Sequence, residues 1–387
     1  RLGLAWNPWG LAKTVIRVGA GIYPNQAAYS VIANAAQNLP FFVNKTVNTT
    51  ASAGAPPFST PTMLTSSNIG AIGGNDLNHK FEIEYNEVWN ANLEQRITES
   101  TTIAAAYIGS RTVQADSSTV LNVPDPGPGS IAARRAIPSM GSFNTIRWDG
   151  WATYHALTLK VTHRMSKGLT VDANWTWSHS LDDASDPGGT LNEANLPQDV
   201  RNMAAEKASS SFDHRHRFVA NFVYNVPFFA NSTGFVHAAF AQWQASGDFT
   251  VQSGAPFTVN TSSDPANNGL AATQRPNISN DANAGPKDPA QWFDKSVFSV
   301  PINFTFGNMP RNVVVGPGLQ AFDLALQKEF ALGETRKLQF RWESFDLFNH
   351  PNFNIPNRTY TPTSTSFGKI TSAQDPRVMQ FALRLMF

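Results

Sequence analysis

Residues 377–387, RVMQFALRLMF, alternate in hydropathy with a period of two. Met379, Phe381, Leu383, Leu385 and Phe387 fall on one face, and Gln380, Ala382 and Arg384 on the other. Successive side chains of a β-strand point to opposite sides, so the stretch specifies a strand with one face suited to an apolar medium and the other to water. Its length matches the roughly 9 to 11 residues that a tilted strand needs to cross a bilayer.

The alternation recurs upstream. Leu338, Phe340 and Trp342 oppose Gln339, Arg341 and Glu343, and Phe322, Leu324 and Leu326 oppose Asp323, Ala325 and Gln327. Leu169, Val171, Ala173, Trp175 and Trp177 oppose Thr170, Asp172, Asn174, Thr176 and Ser178, while Leu157, Leu159 and Val161 oppose Thr158, Lys160 and Thr162. Phe218, Ala220, Phe222 and Tyr224 oppose Arg217, Asn221 and Asn225, with Val219 and Val223 as apolar exceptions on the second face. Eleven strands are expected, at 1–6, 14–23, 79–90, 98–108, 151–164, 168–178, 214–226, 235–251, 320–330, 337–346 and 377–387.

The connections alternate too. Short turns are expected at 7–13, 91–97, 165–167, 227–234 and 331–336, and long segments rich in Gly, Pro, Asn, Ser and Thr at 24–78, 109–150, 179–213, 252–319 and 347–376. Structureless loops of that length would count against a compact soluble domain. In an all-β, antiparallel transmembrane outer-membrane β-barrel they are expected, with short turns on the periplasmic side and long loops outside. Trp6, Trp9, Tyr23, Trp89, Tyr107, Trp148, Trp151, Trp177 and Phe330 lie near strand ends, where amphipathic rings suit the headgroup level.

Composition agrees. Charged residues make up 15% of the chain, and 29 Lys+Arg against 28 Asp+Glu leave a net charge of +1, which gives nucleic acid no electrostatic footprint. There is no cysteine, hence no disulfide framework or thiolate chemistry. No apolar run reaches the roughly 18 residues of a membrane helix. Arg1 is not an initiator and no signal peptide precedes it, so the expectation is that 1–387 is cut from a longer protein.

Specific strings then resemble the TonB-dependent transporters, and within them the Oar-like barrels that follow a carboxypeptidase-regulatory-like domain and a plug. These are RLGLAWNPWGLAKTVIRVGAGIY, VWNANLEQRITESTTIAAAYIGSR, YHALTLKVTHRMSKGLTVDANWTWSHSLDDASD, FDHRHRFVANFVYNVPF, SGAPFTVN, WFDKSVFSVP, GNMPRNVVVGPGLQAFDLALQKEF, FDLFNHPNF and the finish DPRVMQFALRLMF. The resemblance implies a plugged barrel of about 22 strands, energised by an inner-membrane TonB complex, with 1–387 as its C-terminal part. The strings hold neither plug nor TonB box. An odd number of strands cannot close a bacterial barrel, so the N-terminal half and plug are expected partners. A terminal aromatic such as Phe387 resembles the signal read by barrel-assembly machinery.

Candidate chemistry is sparse. Asp213, His214, Arg215, His216 and Arg217 could ligate a metal or exchange protons, but alternation puts the histidines on one face and the arginines on the other, as a polar rim anchoring a loop. Asp182, Asp183 and Asp186 lack EF-hand spacing and read as a solvated loop rather than a calcium site. Glu82 and Glu84 share a face of strand 79–90, expected to be the lumen. Asn349, His350, Pro351 and Asn352 read as a turn. No G-x-S-x-G, H-E-x-x-H or Walker loop occurs, so no catalytic, metal or cofactor residue is expected and the protein is not read as an enzyme.

The expected function is uptake of an unidentified ligand across the outer membrane, with specificity in the loops 24–78, 109–150, 179–213 and 252–319. Phe381, Leu383, Leu385 and Phe387 are expected to face lipid, and Gln380 and Arg384 the lumen. The rival readings are an Oar-like barrel acting in adhesion or protein export, and a secreted soluble β-rich carbohydrate-binding protein.

Overall fold

The computed structural model describes residues 1–8, 13–26, 72–77, 82–185, 196–333 and 335–387. Among the described residues, eleven strands form one antiparallel meander in chain order. They are β1 (Leu2–Trp6), β2 (Thr14–Pro24), β3 (Tyr85–Arg96), β4 (Thr101–Leu121), β5 (Met140–Ser166), β6 (Leu169–Asp182), β7 (His216–Asn225), β8 (Trp243–Gln252), β9 (Leu319–Ala331), β10 (Lys337–Phe345) and β11 (Val378–Met386). Two short strands join the flanks: Ile72–Leu77 runs parallel to β5, and Ala208–Ser209 pairs with β6.

Register carries one apolar row across the sheet. Phe381, Leu383 and Leu385 stand opposite Trp342, Phe340 and Leu338, and the latter two opposite Lys328 and Phe330. The row continues through Phe249 opposite Phe322 and Ala220, Trp175 opposite Phe218 and Leu159, and Ala105 opposite Leu159 and Leu93, and it reaches β1 where Leu4 meets Val18. A one-residue slip at any joint would turn a strand's apolar side chains to the wrong face, so this agreement pins the register. The opposite face is polar: Lys160 pairs with Asp172 at 2.8 Å, Gln380 donates to Glu343, and Arg384 stands opposite Gln339.

Aromatic rings rim the apolar face. Toward the long loops, Tyr107 Oη shares a hydrogen bond with His155 Nδ1 at 2.8 Å, Trp89 lies beside the same imidazole, and Trp175 stacks on His216. Toward the short turns stand Trp243 and Phe340, in edge contact. Along β6 the nine residues from Leu169 to Trp177 rise about 26 Å at roughly 3.3 Å per residue. With a tilt near 40° that is an apolar height of about 20 Å, close to the band of roughly 25 Å found on membrane barrels.

Four expectations need correction. The turn expected at 91–97 is strand through Arg96, and the chain reverses at 97–100, where Thr98 Oγ1 accepts from the Ser100 and Thr101 amides. Expected strands 98–108 and 151–164 are the inner parts of a hairpin that shrinks the loop 109–150 to 122–139. Above the apolar band both faces are polar, as in Ser117, Ser118 and Thr119, so pairing continues where the alternation ends. Third, 235–240 is helical: the helix Gly234–Phe240 precedes β8, and Phe235 with Ala239 and Val236 with Phe240 fall at helical i, i+4 spacing. Positive φ at Gly234 and Gln242 brackets it. Fourth, Glu82 and Glu84 precede β3 instead of lying within it.

Of the rings expected near strand ends, Trp148 is buried within the extended hairpin, and Trp9 lies outside the described residues. Gly109 stands directly across from Trp89, whose indole covers it; an added Cβ would fall 2.3 Å from Trp89 Nε1. Gly109→Ala is therefore expected to push the ring off the wall and destabilise by about 1 to 3 kcal/mol. Unfolding in urea from lipid vesicles measures it, and an unchanged midpoint would show that the indole moves aside freely.

Candidate functional site: the interlocked loop face

The long segments do not behave as separate structureless loops. Phe257, Val259, Phe293, Phe298, Met309, Val314 and Phe367 build a core within 253–318 and 346–377, and Phe293 lies 5.0 Å from Phe367 and 5.6 Å from Phe298 between ring centroids. Each ring pair adds roughly 0.5 to 1.5 kcal/mol beyond its area. The segment after β4 joins in: Asn267 Nδ2 donates to Gly127 O at 2.8 Å, and Arg134 donates to Asn267 O. The loops thus form a plate at the end of the wall opposite the short turns.

Buried charge ties the plate to β6. Arg275 forks onto Glu206, Nη1 to Oε2 at 2.8 Å and Nη2 to Oε1 at 2.7 Å, and both side chains are only 4% exposed. Gln198 brackets the pair: its amide donates to Glu206 Oε1 and its Oε1 accepts from the Arg275 amide. Arg311 donates to Asp182 O, Ser185 Oγ and Glu206 O at 2.8 to 3.0 Å and pairs with the Asp182 carboxylate. A planar, permanently charged fork suits this role.

The candidate residues fall into place around this plate. Asp213 is buried: Oδ1 accepts from the Ser180 amide at 2.9 Å, and Oδ2 meets Arg215 Nε at 3.0 Å and His179 Nδ1 at 3.1 Å. His214 bonds the Ser253 carbonyl through Nδ1 at 2.7 Å. The run Asp213–Arg217 thus stitches the loop ahead of β7 to β6 and β8. Contrary to the solvated loop expected, Asp182 ends β6 and is buried against Arg311 and Ser185, Asp183 is buried with Oδ1 accepting from the Trp151 amide at 3.1 Å, and Asp186 lies outside the described residues. Asn352 clips β9 by accepting from the Gln320 amide and donating to its carbonyl. Among the described residues no group of three His, Cys, Asp or Glu side chains is placed to hold a metal. Of the expected specificity loops, residues 27–71, 78 and 186–195 lie outside the described residues. Nothing in the hydropathy marked Arg275, Glu206 or Arg311, since single charges in loops ordinarily read as solvated.

A cleft of about 590 Å³ opens at the extended hairpin, lined by Glu82, Arg111, Gln114, Arg147, Asp149 and Trp151. Its charges are largely answered within it, as Arg147 pairs with Asp149 and Gln114 donates to Glu82. Burial pushes the Asp183 carboxyl up, against the Trp151 amide and its own amide, which lower it. A carboxyl raised above its unfolded value, near 4, costs stability as pH climbs through its folded pKa and costs none below the unfolded one. Asp183→Asn keeps an acceptor for Trp151 and is expected to raise the thermal midpoint at pH 7 but not at about pH 3, below the unfolded pKa. A gain of equal size at both values would assign the effect to something other than charge.

Residues 1–380 match the family described as outer membrane beta barrel domain. The chain belongs to that family. It is accordingly an outer-membrane β-barrel protein, and its sheet is barrel wall. No curated protein matches it in sequence. Among solved structures the chain is similar to the outer membrane transporter YddB from Escherichia coli, with a TM-score of 0.52 at 11% identity, covering 99% of this chain and 40% of that one. It also aligns with the ferric-catecholate import receptor Fiu of E. coli K12 (TM-score 0.43, 9% identity, 99% and 34% covered) and the FrpB iron transporter of Neisseria meningitidis (0.45, 12%, 99% and 38%). The likeness to YddB is one of fold, and the chain spans about two fifths of that transporter's length.

Proposed function

We propose that residues 1–387 are the C-terminal wall of a TonB-dependent outer-membrane transporter of the Oar-like kind, importing a ligand that meets the interlocked loop plate. The observation that carries this is the eleven-strand meander itself, half of the roughly 22 strands of a plugged transporter barrel. β1 and β11 are the sheet's two edges. Open edges in lipid leave backbone groups without partners at several kcal/mol each, so the N-terminal half of the barrel, with its plug, completes both. Phe381, Leu383, Leu385 and Phe387 face lipid, and Gln380 and Arg384 line the lumen. The inner-membrane TonB complex acts through the N-terminal part, and assembly machinery reads β11 together with the adjoining Phe387. The wall performs no covalent chemistry.

The test is accumulation of ferric siderophores, cobalamin, oligosaccharides and peptides in cells with and without the gene, with and without a proton uncoupler. Accumulation of one of them only in energised, gene-bearing cells is the expected result. No gene-dependent accumulation, together with lost surface attachment, would favour the adhesion reading instead.

A further inference from the structure

The hairpin between β7 and β8 differs from the other short turns. Its residues 227–242, PFFANSTGFVHAAFAQ, contain no Asp, Glu, Lys or Arg, whereas the turns at 97–100, 167–168 and 332–336 carry Glu99, Lys167 and Arg336. Yet its large apolar side chains are bare. Phe235 is 81% exposed, Phe228 62%, Phe229 and Phe240 54% each, and Val236 43%. Phe229 and Phe240 lie against each other, with centroids 5.8 Å apart, so the apolar residues of 228–229 and of the helix meet at this pair.

The patch sits on the apolar side of the wall. Two side chains of the apolar row reach up to the C-terminal end of the helix Gly234–Phe240. Trp243 Nε1 donates to Ala239 O at 3.0 Å, and Lys328 Nζ donates to Ala241 O and, at 3.5 Å, to His237 O. Lys328 is the charge that interrupts the apolar row between Leu326 and Phe330, and it is only 3% exposed, with its ammonium near the rings of Trp243 and Phe330. A lysine stem can run along apolar surface while its charged end seeks the polar boundary, and here helix carbonyls supply that boundary.

We propose that 227–242 is a membrane-interface anchor, its helix lying on the periplasmic rim and inserting Phe235, Val236 and Phe240, beside Phe228 and Phe229, into the bilayer. The occupant is phospholipid rather than a protein partner, because the patch continues the apolar row through Trp243, and the charge at that junction, Lys328, is turned onto the helix carbonyls and only 3% exposed. A helix apolar on one face and free of acidic residues suits insertion to the depth of the headgroup and acyl boundary. The inference rests on the reading that the apolar row faces lipid, and the experiment separates the two.

The full-length protein is folded into vesicles of phosphatidylethanolamine and phosphatidylglycerol with a nitroxide on Phe235→Cys, Val236→Cys or Phe240→Cys. Leu383→Cys serves as the lipid reference and Gly333→Cys, in another short turn, as the water reference. Oxygen against nickel-chelate accessibility by electron spin resonance should place the helix sites several-fold above Gly333 and toward Leu383. Helix sites matching Gly333 while Leu383 reads as lipid would overturn the anchor, as would protection of them only when periplasmic extract is added. Leu383 reading as water would overturn the lipid-facing wall. The three helix positions are exposed, so a variant that does not fold is replaced by its neighbours.

Discussion

Arg275→Met is expected to loosen the loop plate by about 3 to 5 kcal/mol, because it leaves the Glu206 carboxylate buried with its main countercharge gone. The side chains are only 4% exposed, and both Glu206 oxygens are held by the Arg275 fork, so no water replaces what is lost. Deuterium exchange of the membrane-embedded protein should show faster labelling in 196–213 and 256–315 and little change in β8 to β10, whose backbone bonds belong to the wall. Adding Glu206→Gln restores most of the protection, since glutamine still accepts from the Gln198 amide and no bare charge remains. The pair is thus a fastener, whose removal as a unit costs far less than its half-removal. Equal exchange in wild type, single and double variants would mean that the plate is held by its phenylalanine core alone.

The second large effect concerns β11. Leu383 stands opposite Phe340 in the apolar row, and Arg384, one residue on, stands opposite Gln339. Leu383→Arg is expected to destabilise the barrel by about 1 to 3 kcal/mol, since an arginine on the lipid side costs about 2 to 4 at the bilayer midplane and less toward the rim, whereas Arg384→Leu costs much less. Urea titration of both variants from vesicles measures the difference. Costs of similar size would mean that the two faces of β11 meet the same medium.

The wall was legible because lipid imposes a strict demand on every second side chain, and the eleven strands expected from period two include every strand of the meander. Boundaries failed where the demand lapses, except at 91–96, where Ala91 and Leu93 still alternate with Asn92 and Glu94. Above the apolar band, the hairpin of β4 and β5 continues through Ser117, Ser118 and Thr119, which have no amphipathic signature to betray pairing. The segment 235–240 misled because Phe235, Ala239 and Phe240 are compatible with a strand until the flanking positive φ at Gly234 and Gln242 is known. The loop plate was the least legible part. Its core residues Phe257, Phe293 and Phe367 are far apart in sequence and follow no period, and the value of Arg275 and Arg311 depends on partners 69 and 129 residues away.

The central claim, that one face of this sheet meets lipid and the other a water-filled lumen, is tested most directly by cysteine scanning of 338–343 in β10, a strand paired on both sides. The full-length protein in vesicles is exposed to a membrane-impermeant maleimide. Labelling at 339, 341 and 343 with protection at 338, 340 and 342 is the result predicted here. Uniform labelling, or the inverse pattern, would contradict it.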